Sequence, residues 1–171
     1  MLIKNKILDF KGLKNIRKKF KKKKVVLCHG VFNLLHVGHI NYFKALKRYG
    51  DVLVVSITGD KFVNKGPGRP AFSAAERLKF LQEIDCIDYI YLNKNITSEK
   101  VIKNLSPNFY CKGKDYPIEQ VKNDKNLKIE IKALKAIKGK FKTIKEISFS
   151  SSKFINENNL QNFNEECKNY I

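Results

Sequence analysis

The amino-acid sequence predicts an α/β fold in three layers, with helices packed on both faces of a central parallel sheet. Apolar runs rich in β-branched residues, such as residues 25–27 and 51–58, are typical of buried parallel strands. Helical patterns with one apolar face separate these runs along the chain. Because strand, helix and strand follow one another in that order, we expect parallel pairing with right-handed crossovers.

One stretch, residues 25–39, organises the rest of the chain. It begins as a strand, turns at Gly30, and enters a helix near Gly38. A strand-to-helix turn of this kind binds anions well, because unpaired backbone N–H groups and the helix dipole both face it. His36 and His39 are three residues apart at the helix start and therefore project from one face. Imidazoles donate to phosphate oxygens near neutral pH, so this stretch favours phosphoryl chemistry.

The histidine spacing has other interpretations. Two histidines three residues apart also occur by chance, or as a core histidine beside a helix cap. The two glycines and the predicted strand-to-helix turn favour the functional interpretation. A zinc site is disfavoured because the only other histidine, His29, lies on the strand side. We therefore predict no metal site built from protein side chains.

The turn also carries a recognisable signature. Residues 30–39, Gly-Val-Phe-Asn-Leu-Leu-His-Val-Gly-His, resemble the G-x-F-D-x-L-H-x-G-H motif of the cytidylyltransferase-like nucleotidyltransferases. The resemblance implies a small Rossmann-like fold and transfer of a nucleoside monophosphate to a phosphorylated acceptor, with release of pyrophosphate. Asn33 stands where most members of that family have Asp, so it keeps an acceptor oxygen and lacks the charge. The resemblance assigns nucleotide binding to Gly30, Val31, Phe32, Asn33 and Gly38.

The composition limits the classes of protein that fit. A formal net charge of +19 attracts anions, whether nucleotides, sugar phosphates, nucleic acid or anionic lipid. No two cysteines form a C-x-x-C pair, since the four lie at Cys28, Cys86, Cys111 and Cys167. This spacing favours reduced thiols and a cytoplasmic location. No apolar run is long enough to span a bilayer, and the N-terminus has no apolar signal segment.

The length of 171 residues fits a single domain over residues 1–171. We expect residues 1–24 to form a basic N-terminal extension and helix, and residues 150–171 to form a helix packed on the body. The extension holds eleven basic residues and one acidic residue, Asp9. Its lysine run, residues 21–24, is either a tether for nucleic acid or membrane, or a solvated helix end favoured by the helix dipole.

The loop after the second strand, residues 59–70, is rich in glycine and proline. Lys65 and Arg69 in this loop are candidates for binding an acceptor phosphate, and a flexible surface loop is the alternative.

The next helix begins with a capping box formed by Ser73 and Glu76. Arg77 follows in the first turn, where the helix dipole disfavours a cation. This placement indicates an anionic partner, and we assign Arg77 to the acceptor phosphate.

A third strand and a helix lead to a fourth strand, which begins near Pro107 and ends in residues 112–117. Open α/β sheets bind ligands at the carboxyl ends of their strands. Lys112, Gly113 and Asp115 are therefore nucleotide-binding candidates, with Asp115 accepting from a ribose hydroxyl or a base amine. An ordinary polar turn is the alternative.

The remaining chain predicts a lysine-rich helix over residues 118–138 and a final strand over residues 141–144. Ile129, Leu134 and Ile137 are the expected core contacts of that helix.

A second candidate anion site lies near the C-terminus. Ser150, Ser151 and Ser152 precede an apolar-periodic helix that has Lys153 in its first turn. These residues offer hydroxyls, backbone N–H groups and an ammonium to a phosphate, and plain serine capping is the alternative.

Residues 65–77, 111–116 and 149–153 resemble the branch of the family that contains the adenylyltransferase domain of ADP-heptose synthase. The resemblance implies transfer from an NTP, with ATP favoured, to a sugar phosphate such as a heptose phosphate, for activated-sugar and surface-polysaccharide biosynthesis. It assigns catalysis to His36, His39 and Lys153, and expects Mg²⁺ on the triphosphate. The alternative is a CTP-dependent cytidylyltransferase acting on glycerol phosphate or another polyol phosphate.

The expected partners are therefore an NTP and a small phosphorylated sugar or polyol, with no nucleic acid and no membrane span, and a homodimer is compatible with the sequence. A basic nucleic-acid-binding module is the rival from another class. That rival explains the net charge but not two phosphate-binding turns.

Overall fold

The structure is a computed structural model that describes residues 6–63, 70–113 and 123–144. Across these ranges the chain forms one six-stranded sheet in which every pair of neighbours is parallel. The strands are β1 (Ile7–Leu8), β2 (Val25–Gly30), β3 (Val52–Thr58), β4 (Tyr89–Asn93), β5 (Phe109–Gly113) and β6 (Lys140–Ile144).

Five α-helices connect these strands within the described part of the chain. They are α1 (Phe10–Lys19), α2 (Val37–Lys47), α3 (Ala74–Gln82), α4 (Glu99–Leu105) and α5 (Lys125–Ala136), and a 3₁₀ turn covers Asp60–Phe62. Side chains of α2 and α3 pack in one apolar cluster on one face of the sheet. Side chains of α1, α4 and α5 pack in a second cluster on the other face. The three-layer α/β fold with a central parallel sheet is therefore confirmed.

The strand order, β1-β4-β3-β2-β5-β6, places the turning point of the sheet at β2. From β2 the chain winds outward through β3 and β4 on one side. It then crosses back over β2 and adds β5 and β6 on the other side. The connecting helices of the two halves therefore cover opposite faces, and a crevice opens between the carboxyl ends of β2 and β5. Ligands bind at such a switch point in open α/β sheets.

The N-terminal segment contains the expected helix and, in addition, a strand of the sheet. Ile7–Leu8 is an edge strand that pairs in parallel with β4. Helix α1 is capped by Asp9, whose carboxylate accepts from the backbone N–H of Gly12. Its apolar face, with Leu13 and Ile16, is buried in the second cluster. The described part of the basic extension is thus built into the sheet and its core.

The predicted core contacts of the lysine-rich helix are partly wrong. Leu134 is buried and Ile137 packs against the second cluster, as predicted, but Ile129 is 42% exposed. The buried residues of α5 include Leu127 and Glu130. Ile129 lies two positions from Leu127, which places it on the opposite side of a helix with 3.6 residues per turn. The predicted C-terminal helix over residues 150–171 lies outside the described residues.

None of the described helices combines the length and the apolar character that crossing a membrane requires.

The burial of α1 predicts a difference between two alanine substitutions. Leu13→Ala removes a side chain with no exposed surface and should lower the free energy of unfolding by about 2–5 kcal/mol. Asn15→Ala lies on the exposed side of the same helix and should change the free energy of unfolding by less than about 0.5 kcal/mol. Urea unfolding measures both. Equal, small effects would show that α1 is an appended tether.

Candidate active site

The candidate site lies at the switch point, where the turn after β2 leads into α2. Gly30 ends β2 and Gly113 ends β5, and Cys28 is paired with Cys111 in register between these strands. The predicted nucleotide-binding residues at the two strand ends are therefore neighbours in space. Parallel pairing makes this unavoidable once β2 and β5 are adjacent.

The turn is shaped by Phe32, whose φ of 51° is in the left-handed region. Its ring folds back over Gly30, where a Cβ would lie 3.1 Å from ring atoms. The same ring packs at 5.2 Å from the ring of Phe43 and edge-on at 5.6 Å from His39. Burial of the ring offsets the cost of the left-handed backbone, about 1–2 kcal/mol. The turn is thereby fixed against the first turns of α2.

His36 is the N-cap of α2, and its Nδ1 accepts from the backbone N–H of Gly38 at 3.1 Å. Because Nδ1 is an acceptor, the proton of the neutral ring is on Nε2. Partial burial lowers the pKa of His36 below its ordinary value. Protonation of the ring is therefore disfavoured, and the N–H of the neutral ring is at Nε2.

The rings of His36 and His39 lie close together, with centroids 4.1 Å apart. The prediction that both imidazoles share one face is confirmed. They sit beside the first N–H groups of an eleven-residue helix. Two donors next to the positive end of a helix dipole suit an anion that gains charge during a reaction.

Arg77, predicted to bind the acceptor phosphate, has its guanidinium engaged within the protein. The side chain of Arg77 is 1% exposed, and its guanidinium donates to the carboxylate of Asp60 at 2.6 Å. It also donates to the backbone carbonyl oxygens of Val31, at 2.6 Å, and Phe72, at 3.1 Å. Asp60 is thus an anionic partner of Arg77 in the structure, and the assignment of Arg77 to the acceptor phosphate remains a prediction. Arg77 holds the turn after β2 against the segment that begins α3.

Lys112, at the end of β5, has its ammonium inside the protein. Nζ donates to the carbonyl oxygen of His29 at 3.3 Å and lies 3.6 Å from Oε2 of Glu130, on α5. Glu130 also accepts from the backbone N–H of Ser98 and the hydroxyl of Tyr110. Burial alone would raise the pKa of Glu130, but the charge of Lys112 and these hydrogen bonds hold it below its usual value. The predicted nucleotide contact of Lys112 is not tested by this arrangement.

A buried polar group at β2 was missed by the sequence reasoning. His29 is placed between Ser56, whose Oγ is 3.1 Å from Nδ1, and Thr58, whose Oγ1 is 3.3 Å from Nε2. Thr58 also donates to the carbonyl oxygen of Gly30. Burial, with the nearby charge of Lys112, lowers the pKa of His29 to about 3. The sequence did carry a signal for this polar group, because Ser56 and Thr58 lie two positions apart in an otherwise apolar strand.

Other predicted site residues lie outside the described part of the chain and remain predictions. They are Lys65 and Arg69 for the acceptor phosphate, Asp115, Ser150, Ser151 and Ser152 for the nucleotide, and Lys153 for catalysis.

The buried guanidinium predicts that Arg77 contributes to stability. Arg77→Met removes the donor to the carbonyl oxygens of Val31 and Phe72 and to the carboxylate of Asp60, and should lower the free energy of unfolding by about 2–5 kcal/mol. Lys79→Met, on the exposed side of α3, is the control and should change the free energy of unfolding by less than about 0.5 kcal/mol. Chemical denaturation of the ligand-free protein measures both. Unchanged stability of Arg77→Met together with weaker sugar-phosphate binding would contradict the stabilising role and favour the phosphate-binding one.

The low pKa of His29 predicts a pH-dependent stability. In the unfolded chain His29 takes up a proton below its ordinary pKa of 6.5, whereas the folded chain does so only near pH 3. The free energy of unfolding should therefore fall as pH drops from 6.5 towards 3, by at most about 1.4 kcal/mol per pH unit. Denaturation curves of wild type and His29→Gln give the two slopes. Identical slopes would mean that the folded chain protonates His29 readily.

Comparisons with known proteins agree with this geometry. The sequence matches the model of the family described as Cytidylyltransferase-like over residues 27–158. The bifunctional protein HldE of Citrifermentans bemidjiense is 46% identical over 101 residues, which cover 58% of this chain and 21% of the relative. The bifunctional protein HldE of Geobacter metallireducens is 42% identical over 120 residues, covering 68% of this chain and 24% of the relative. The chain thus spans between a fifth and a quarter of the length of these curated relatives.

Two solved structures share the fold. The lipopolysaccharide core biosynthesis protein from Thermoplasma volcanium GSS1 has a TM-score of 0.58 and 27% identity, covering 75% of this chain and 99% of that one. Pantoate-beta-alanine ligase from Francisella tularensis has a TM-score of 0.55, covers 82% of this chain and 67% of that one, and at 18% identity shows likeness of fold alone. Since the family model spans most of the sequence and includes both histidines, the chain belongs to the cytidylyltransferase-like family.

Proposed function

We propose that this chain is a nucleotidyltransferase that transfers a nucleoside monophosphate from an NTP, ATP in preference, to a sugar phosphate and releases pyrophosphate. The observation that carries the proposal is the pairing of His36 and His39, whose ring centroids are 4.1 Å apart. Both rings lie at the N-terminus of α2, which is at the switch point of the sheet. Membership of the cytidylyltransferase-like family supports the reaction type.

The nature of the acceptor is inferred from the relatives. Those with 46% and 42% identity are named HldE, and the structural neighbour with 27% identity is named a lipopolysaccharide core biosynthesis protein. These names support a heptose phosphate as acceptor and surface polysaccharide as the destination of the activated sugar. The alternative is a CTP-dependent enzyme acting on glycerol phosphate or another polyol phosphate, which the same phosphate-binding turn would serve.

In the proposed reaction an oxygen of the acceptor phosphate attacks the α-phosphorus of the NTP in line. The new P–O bond forms as the bond between the α-phosphorus and its bridging oxygen breaks, and pyrophosphate leaves. His36 donates through Nε2–H, and His39 lies beside it, so both imidazoles stabilise charge on the transferred and leaving phosphates. The backbone N–H groups at the start of α2 add their dipoles. No covalent enzyme intermediate is required.

Magnesium belongs to the proposal as an ion carried by the triphosphate. Among the described residues no three His, Cys, Asp or Glu side chains are grouped so that they could hold a metal ion. In the proposal the ion is bound mainly by phosphate oxygens and water, and it neutralises part of the charge of the triphosphate. The described cysteines are free thiols, which supports a cytoplasmic location. Assembly as a homodimer remains an expectation.

A pyrophosphate-release assay tests the proposal. The four NTPs are combined with sugar phosphates, including a heptose phosphate, and with polyol phosphates, including glycerol phosphate. We expect the highest rate with ATP and a heptose phosphate. His39→Ala should reduce kcat at least about a hundredfold, the usual loss for one transition-state donor. Asn41→Ala, on the exposed side of α2, is the control and should keep its activity.

Two outcomes contradict the proposal. If no combination releases pyrophosphate and the chain instead binds nucleic acid with a steep salt dependence, it is a nucleic-acid-binding module. If His39→Ala stays within a few-fold of wild type, the assignment of the histidine pair is wrong.

A further inference from the structure

We propose that the side-chain amide of Asn33 donates a hydrogen bond to a phosphoryl oxygen of a bound substrate, so that this position contributes to binding without a metal ion. The inference rests on the proposed function and deepens it by naming the donor atom and its acceptor. Asn33 lies between the end of β2 at Gly30 and the N-cap of α2 at His36, in the turn that lines the switch point.

The orientation of the Asn33 amide is determined by its neighbour. Oδ1 accepts from the backbone N–H of Ala71 at 2.6 Å, and the side chain is 4% exposed. A backbone N–H requires an acceptor, so the amide cannot be turned the other way without placing two donors against each other. The oxygen is therefore committed to Ala71, and the nitrogen occupies the other corner of the amide.

The nitrogen carries the unused hydrogen-bonding capacity. Nδ2 of Asn33 is buried and has no hydrogen-bond partner among the residues that the structure describes. A buried donor without a partner costs free energy, so each such group in a folded protein requires an explanation. An acceptor oxygen supplied by a ligand would explain the unpaired Nδ2, because the hydrogen bond formed on binding offsets the cost of burying the donor.

The groups around Asn33 indicate which kind of ligand oxygen would accept from Nδ2. The positive end of the α2 dipole begins four residues after Asn33, and the paired imidazoles of His36 and His39 lie on it. Asp60, the carboxylate tied to this turn through Arg77, is already engaged by the guanidinium and by the backbone N–H of Ala74. Donors therefore dominate the turn, which suits an anion. In a nucleotidyl transfer the anionic oxygens are phosphoryl oxygens of the nucleotide or of the acceptor.

An aspartate in place of Asn33 would behave differently. One carboxylate oxygen could still accept from Ala71, so the tie to the segment before α3 would persist. The other oxygen would be a charged acceptor and would repel a phosphoryl oxygen unless a cation bridged them. The amide at this position thus favours direct contact with phosphate, and a carboxylate makes the contact depend on metal.

Isothermal titration calorimetry of the full chain tests this inference with Asn33→Asp and with Asn41→Asp as control. The control introduces the same charge on the exposed side of α2. The probes are ATP, CTP and glycerol phosphate, each titrated in EDTA and again with Mg²⁺. In EDTA we expect Asn33→Asp to weaken binding of at least one probe by about tenfold or more, with part of the loss recovered in Mg²⁺. Asn41→Asp should stay within about twofold of wild type.

The pattern across probes identifies the source of the oxygen. A loss with ATP and CTP assigns the contact to the nucleotide, and a loss with glycerol phosphate assigns it to the acceptor; both support the proposal. Equal affinities of wild type and Asn33→Asp in EDTA for every probe overturn it. Should Asn33→Asp fail to fold, Asn33→Ala replaces it. That variant lacks the donor and adds no charge, so its loss should be the same with and without Mg²⁺.

Binding is measured without turnover, which separates this inference from the proposed function. A wild-type chain that binds nucleotide through Asn33 but releases no pyrophosphate overturns the proposed function alone. A chain that turns over normally and binds every probe independently of Asn33 overturns this inference alone.

Discussion

The reversal of winding at β2 is the constraint on which the site depends. The two halves of the sheet grow outward from this strand in opposite directions, so their connecting helices lie on opposite faces and the carboxyl ends of β2 and β5 lie where the two halves meet. The N-terminus of α2 opens directly onto this crevice. A parallel sheet that continued in one direction would cover the same strand ends with the next connection and would present no such opening.

The turn after β2 is held rigid from several sides. Phe32 closes over Gly30 and contacts Phe43, and Arg77 holds the carbonyl oxygen of Val31 from α3. Asn33 adds a second tie to the same segment through Ala71. Donors that are fixed before substrate arrives require little reorganisation during the reaction, which is the physical basis of electrostatic stabilisation at a phosphate site.

A second polar cluster supports the sheet from the other face. Glu130 joins α5 to Lys112 of β5, to Tyr110 and to the start of α4 at Ser98. His29 stays neutral nearby because burial and the charge of Lys112 both oppose its protonation. Buried groups of this kind are tolerated only when each is bonded. Removing one partner is therefore expected to disturb strand ends that also form the crevice.

Much of this arrangement was predictable from the sequence. Apolar runs located β2 and β3, a strand was expected after Pro107 where β5 begins, and the capping box formed by Ser73 and Glu76 is present at the start of α3. The spacing of His36 and His39 at a strand-to-helix turn placed both imidazoles on one face. These features are local, because periodicity, caps and turns depend on residues close together in the chain.

Only the tertiary structure decided which partners the buried charged side chains pair with. Arg77 and Lys112 looked like phosphate ligands from their positions in a helix and at a strand end. Their partners, Asp60 and Glu130, are 17 and 18 residues away in the sequence and meet them only after the elements pack. Likewise β1 joined the sheet through a partner strand more than eighty residues distant. The sequence by itself determined most of the helices and strands, their alternation along the chain and the histidine pair. The order of the strands in the sheet and the pairing of buried charges depended on long-range packing. Pairing buried charges in particular requires two distant groups to lose their water together.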